Sequence, residues 1–191
     1  GVFNSVLNVT DKAGESSVDS VVITFKNLPP VPKQVFFDNF QSGNLDKWKK
    51  MNRLNWNVKK PAEKNVPKHP KFNLVAHADT CKSSIGCTLV IKGLVNLSAY
   101  KNATLSFWRY VDNSIGRKEF LKVEAFNGQS WKRIFYWTDG QGDDDTWHLE
   151  TFDLPKGYLV GNFGLRFVSK ESSADKETEI DDVLIEGMVT G

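Results

Sequence analysis

Apolar and polar residues alternate along most of this chain, and clusters of Gly, Pro, Asn and Asp break the alternation at short intervals. In Leu121-Lys122-Val123-Glu124-Ala125 the exchange is strict. Leu105, Phe107 and Val111 fall on one face of their segment, and Trp131, Arg133, Phe135 and Trp137 alternate with Lys132, Ile134 and Tyr136. A period of two is what a strand shows when only one of its faces lies on a core. It predicts strands over 103–112, 120–126, 131–137, 147–154, 163–169 and 178–187. No stretch keeps a helical period, and the nearest approach is a single turn over 44–49. Many short strands without helices read as an all-β fold, here a jelly-roll β-sandwich over 35–188.

The N-terminal residues make a separate pattern. Residues 2–10 and 17–25 are rich in β-branched and aromatic side chains, and Asp11-Lys12-Ala13-Gly14-Glu15 between them supplies a turn. Residues 1–28 are therefore predicted to form a β-hairpin. Phe3, Leu7 and Val9 share a face of the first strand, and Val21, Ile23 and Phe25 share a face of the second. Pro29, Pro30 and Pro32 make 29–34 a stiff, extended linker.

An isolated hairpin is marginal in water. With Val6, Val18 and Val22 on the opposite side, nine apolar groups would each forgo about 1.5–3 kcal/mol if left exposed. Three covers are open: the domain that follows, the other strands of an Ig-like unit, or the sheet of another subunit. The Pro-rich linker argues against the first. The expectation is strand donation: a homopolymer assembled through Phe3, Leu7, Val9, Val21, Ile23 and Phe25. An interior piece of a longer surface protein is the close competitor, since the chain opens at Gly1 without an initiator Met or a signal-peptide pattern.

Charge narrows the partners. The chain has 25 Lys and Arg against 23 Asp and Glu, too even a balance to draw nucleic acid by its field. No apolar run approaches the roughly 20 residues that span a bilayer, so membrane insertion is not expected. Cys81 and Cys87 enclose a short segment containing Gly86, which suits a disulfide loop and neither a redox pair nor a zinc knuckle; two free thiols are the alternative. Asn8-Val9-Thr10, Asn96-Leu97-Ser98 and Asn102-Ala103-Thr104 are N-glycosylation acceptor patterns. Together these features favour a secreted or cell-surface location. Residues 57–71 carry five lysines, one Glu and three prolines, a long basic surface loop.

Two family resemblances follow from longer motifs. Residues 6–24, from Val6-Leu7-Asn8-Val9-Thr10-Asp11 to Ser20-Val21-Val22-Ile23-Thr24, resemble the closing strands of a PKD or related Ig-like domain. Phe37-Asp38-Asn39-Phe40 with Gly43 and Trp48, then Leu105-Ser106-Phe107-Trp108, then Ile180-Asp181-Asp182-Val183, resemble extracellular MAM-like jelly-roll modules. That resemblance implies a binding or structural module with its first and last strands close together. Asp38 with Asp181 and Asp182 could then hold a structural Ca2+, ordinary strand-end aspartates being the other reading.

Catalysis has little to build on: His69, His77 and His148 stand in unlike contexts, without metalloprotease or nucleophile-elbow spacing. The acidic run Asp139-Gly140-Gln141-Gly142-Asp143-Asp144-Asp145 looks calcium-like but fails the EF-hand spacing and lacks its closing Glu, and it reads instead as a solvated hairpin tip. Trp48, Trp56, Trp108, Trp131 and Trp147 stand beside apolar positions and read as core, which leaves Tyr110, Tyr136, Trp137 and Tyr158 as the candidates for a sugar-stacking platform, burial between the two sheets being the stronger reading even for these. The sequence thus points to a non-catalytic structural subunit of an extracellular filament, adhesin or surface assembly. The alternative is a carbohydrate-binding module with a glycan ligand, carried by a secreted multidomain enzyme or adhesin.

Overall fold

The computed structural model describes residues 2–10, 13–14, 16–24, 31–52, 55–61, 73–78, 80–82, 84–173 and 175–189. These fall into two compact units, Gly1–Pro30 and Val31–Thr190.

In the first unit, β1 (Val2–Thr10) and β2 (Ser16–Thr24) pair antiparallel, with Phe3 opposite Ile23, Ser5 opposite Val21 and Leu7 opposite Asp19. Gly14 takes the turn at φ 87°, a left-handed conformation that glycine adopts without steric cost. The side chains of Phe3, Leu7, Val9, Val21, Ile23 and Asn8, and the whole of Phe25, lie outside the described residues. So does most of the basic loop, from 62 to 72.

The second unit is a β-sandwich, with eleven strands among the described residues. In chain order they are β3 (Pro32–Asp38), β4 (Trp48–Met51), β5 (Trp56–Lys59), β6 (Val75–Ala78), β7 (Cys87–Ile91), β8 (Tyr100–Val111), β9 (Phe120–Phe126), β10 (Trp131–Thr138), β11 (Trp147–Leu154), β12 (Gly164–Lys170) and β13 (Thr178–Val189). One sheet has the order β10-β9-β12-β7-β4; the other runs β11-β8-β13-β6-β5, with β3 also pairing β13. Every pairing is antiparallel.

Two sequence expectations give way here. β3 starts inside the expected linker, at Pro32, where a strand's first residue can lack an N–H without breaking the ladder. The turn expected over 44–49 is not helical: the Trp48 amide donates to the Leu45 carbonyl at 2.9 Å and β4 begins at once. A short 3-10 helix lies at Lys156–Tyr158.

Both inner faces follow the period of two. Leu121, Val123 and Ala125 of β9 and Leu105 and Phe107 of β8 are fully buried between the sheets. Phe107 bridges the layers, with ring centroids 5.5 Å from Phe135, 6.2 Å from Trp137 and 5.2 Å from Phe167. Two of the buried indoles donate to interior acceptors, as a buried N–H favours. Trp56 Nε1 donates to the Cys87 carbonyl at 3.1 Å, and Trp48 Nε1 to Asp38 Oδ2 at 2.7 Å. Cys81 and Cys87 form a disulfide.

Candidate functional site

The outer faces of the two sheets differ. On the six-stranded side Tyr110, Trp147 and Val75 form a second buried cluster with Trp108 packed against it. Tyr110 is fully buried, and its hydroxyl donates to Asp145 Oδ1 at 3.2 Å. Burial, then the charges of Asp145 and Asp112, raise that phenol well above its ordinary value. Beneath the same sheet's surface, His77 Nδ1 lies 3.1 Å from Glu179 Oε1, and both side chains are almost wholly buried.

The five-stranded sheet instead presents an aromatic and cationic surface, laid out in rows by strand register. Trp131 of β10 stands opposite Phe126 of β9, which stands opposite Gly164 of β12. The next outward row is Arg133, Glu124 and Arg166; then come Tyr136, Lys122 and Val168; then Thr138, Phe120 and Lys170. From Phe126 to Phe120 the strip runs six residues along β9, about 20 Å at roughly 3.3 Å per residue.

These side chains hold one another in place. Arg166 Nε donates to Glu124 Oε2 at 2.7 Å while its guanidinium lies 4.2 Å from the Trp131 ring centroid. Lys122 Nζ donates to the other Glu124 oxygen at 3.2 Å. Arg133 sits 4.7 Å over Tyr136, and the Phe120–Tyr136 and Phe126–Trp131 rings are 5.6 and 5.4 Å apart. Gly164 leaves room for the indole: a Cβ there would come within 3.1 Å of Trp131 Cη2. Flat rings flanked by fixed hydrogen-bond donors can stack on the C–H face of a sugar and bond to its hydroxyls.

The platform expected from the sequence is thus largely replaced. Tyr136 keeps its place, exposed on the outer face. Tyr110 is buried as described, Trp137 is 8% exposed within the core, and half-buried Tyr158 packs edge-on against Phe163. Trp131, assigned to the core by simple alternation, lies on the outer face. A β-bulge is responsible. β10 shifts register between Arg133 and Phe135, so Ile134 is an extra residue and the faces exchange there. Trp131 and Arg133 point out before the bulge, Phe135 and Trp137 point in after it, and a strict period of two cannot register that change.

The acidic run 143–145 is not a hairpin tip, because it joins β10 to β11 and these lie in different sheets. Its carboxylates are engaged locally: Asp143 accepts from the Gly140 amide, Asp145 from the Asn113 amide, and Asp144 from Thr146 and His148. Asn96 and Asn102 are both exposed, and Asn96 Oδ1 accepts from Ser98.

Asp38 and Asp181 come from paired strands and are 5% and 1% exposed. Asp38 Oδ1 accepts from the Phe40 amide at 3.1 Å. Asp181 Oδ1 accepts from the Asp182 amide at 2.7 Å, whereas Oδ2 is buried without a hydrogen-bond partner. Burial pushes the Asp181 carboxyl up to about 8; the Asp182 amide opposes this, and the charges of Asp182, Asp38 and Glu179 add to it. Asp182 has φ 45° within a break in the β13–β8 register between Asp181 and Leu184. Among the described residues no group of three or more His, Cys, Asp and Glu side chains is placed to hold a metal ion. No helix among them is long and apolar enough to cross a membrane.

No family model matches the chain, and no curated protein matches it. Solved structures do resemble it. The K3 cleaved adhesin domain of Lys-gingipain from Porphyromonas gingivalis aligns at a TM-score of 0.56 and 17% identity, over 82% of this chain and 99% of that one. The CBM22-1 xylan-binding domain of Xyn10C from Paenibacillus barcinonensis aligns at 0.52 and 12% identity, over 86% and 99%. TmCBM61, solved with β-1,4-galactotriose, aligns at 0.50 and 14% identity, over 77% and 92%. At such identities the likeness establishes the β-sandwich fold, and none of these findings identifies a PKD or MAM domain.

Proposed function

We propose that residues 31–190 form a glycan-binding module of a secreted or cell-surface protein. The observation that carries this reading is the outer face of the five-stranded sheet. There Trp131, Phe126, Phe120 and Tyr136 are set in strand register, with Arg133, Arg166 and Lys122 held between them. Modules of the same fold that bind xylan or a galactotriose lend it support, although fold alone does not carry function. The Cys81–Cys87 disulfide supports an oxidising location. Binding of the whole chain to a panel of plant and bacterial polysaccharides tests the reading. Trp131→Ala and Tyr136→Ala should each abolish or strongly weaken binding, while Tyr158→Ala, away from the strip, should not. Unchanged binding in both platform variants would refute the assignment.

A structural Ca2+ is a second proposal, resting on Asp181 Oδ2. A buried carboxylate oxygen without a partner suits a hard cation, with Asp38 as the other carboxylate and backbone carbonyls or water completing the shell. Self-association through β1 and β2 would rest on the six side chains named at the outset. The structural likenesses lend it no support. Identical monodisperse behaviour of the full chain and a deletion of residues 1–30 would dispose of it.

A further inference from the structure

Beyond the last row of the strip the surface sinks into a basin of about 580 Å³. Three groups of residues wall it: the turn from Gly116 to Glu119 before β9, then Lys170, Glu171, Ser172 and Lys176 between β12 and β13, and Lys82 in the disulfide loop. Five cations, Lys82, Arg117, Lys118, Lys170 and Lys176, face two carboxylates, Glu119 and Glu171. Both carboxylates are buried. Glu119 accepts from Lys176 Nζ at 2.7 Å and from the amides of Gly116 and Ser172. Burial pushes its carboxyl up, but these bonds outweigh that and hold it below the ordinary value. Glu171 accepts from Ser169 Oγ at 2.8 Å, and its amide donates to the Cys81 carbonyl.

The basin is therefore preformed. Glu119 ties the β8–β9 turn to the β12–β13 connection, and the Glu171 amide ties that connection to the disulfide loop. Among the described residues Arg117 pairs with Asp139 alone, at 3.7 Å and with its own side chain 94% exposed. Lys82, Lys118 and Lys170 form no ion pair among the described residues. An anion entering the basin would meet three unclaimed ammonium groups on a rigid frame, and a neutral sugar would leave them unanswered. Lys170 stands opposite Phe120 in the ladder, so the basin opens directly off the aromatic strip.

We infer that the glycan taken by this module is anionic, its rings lying along the strip and a carboxylate or sulfate ester seated among Lys82, Lys118 and Lys170. This rests on the glycan-binding reading of the sheet and names the ligand class. The test titrates the full chain with polygalacturonate, with a sulfated galactan, and with a neutral galactan and xylan. It repeats these for the double variant Lys82→Ala, Lys118→Ala, whose unfolding midpoint is checked first against wild type.

One or both acidic polymers should bind more tightly than the neutral ones, and which of them does so tells carboxylate from sulfate. The double variant should weaken acidic binding about tenfold, each exposed ion pair being worth roughly a few-fold, and leave neutral binding unchanged. Acidic binding should also fall in about 1 M salt, where charges are screened within ~3 Å. Neutral polymers bound as tightly as acidic ones, or a double variant with undiminished acidic binding, would overturn the inference and leave the aromatic strip standing. Failure of every polymer to bind would overturn the glycan reading itself.

Discussion

Asp181→Asn isolates the free-energy cost of a buried carboxyl. Asp181 is 1% exposed, and burial with its acidic neighbours pushes its carboxyl from 3.8 to about 8. In the unfolded chain it ionises near its ordinary value; in the folded chain it keeps its proton. Between pH 4 and 8 the native state therefore binds more protons than the unfolded state, and stability must fall as pH rises. The slope is about 1.4 kcal/mol per pH unit for one such group, which accumulates to roughly 5 kcal/mol across the window as an upper bound. Below pH 4 the contribution disappears, because the group is neutral in both states.

Asn keeps an oxygen for the Asp182 amide and cannot ionise, so its effect on stability is constant in pH. Urea unfolding of the full chain in chelator, at pH steps from 4 to 8, should show wild type losing stability faster than Asp181→Asn. Adding Ca2+ at pH 8 should restore wild type, by about 2.7 kcal/mol at a hundred times the dissociation constant, and leave the variant unmoved. Parallel pH profiles for the two proteins would refute the assignment of the proton. A calcium response shared by both would refute Asp181 as its ligand.

Three further outcomes follow from packing. Trp56→Ala removes a fully buried indole that bonds the Cys87 carbonyl, and should cost about 3–5 kcal/mol in chemical denaturation. Gly187→Ala would place a Cβ 2.3 Å from the Tyr100 ring, so the ring must move; about 1–3 kcal/mol should be lost, and Tyr100→Ala in the same chain should recover most of it. Replacing Cys81 and Cys87 by Ala opens a loop with a sequence separation of 6, and should lower stability by about 2 kcal/mol in oxidising buffer and by nothing relative to reduced wild type.

Much of the sandwich could be read from residue pattern alone, because burial in a sheet is written every second residue. Leu121, Val123 and Ala125 alternate with Lys122 and Glu124 in the sequence and separate to opposite faces in the fold. Trp48 and Trp56 read correctly as core for the same reason, while Trp147 is buried in the separate cluster with Tyr110. The candidate site was far less visible. The bulge at Ile134 turned a correct alternation into a wrong face for Trp131, and nothing in the local sequence marks that extra residue. Tyr110 stood among the candidate rings by its chemistry alone, whereas in the fold Asp145 and Trp147 lie against it and it is buried. The basin draws on residues 82, 116–119, 170–172 and 176, which only the crossing of strands between sheets brings together. Charge there could be counted beforehand, but its convergence could not.

The same bulge bears on aggregation. A sheet ends in unpaired amides and carbonyls that invite another chain, and β10 is such an end. Its ladder breaks at Ile134 and its neighbours Lys132 and Arg133 are exposed and charged, so an incoming strand finds neither regular spacing nor a neutral border. β4 and β5 offer only four residues each, and β3 carries its own break opposite Ile185 and Glu186. That leaves β11, eight residues in unbroken register with Leu149 54% exposed, as the border along which these sheets could grow from one molecule into the next.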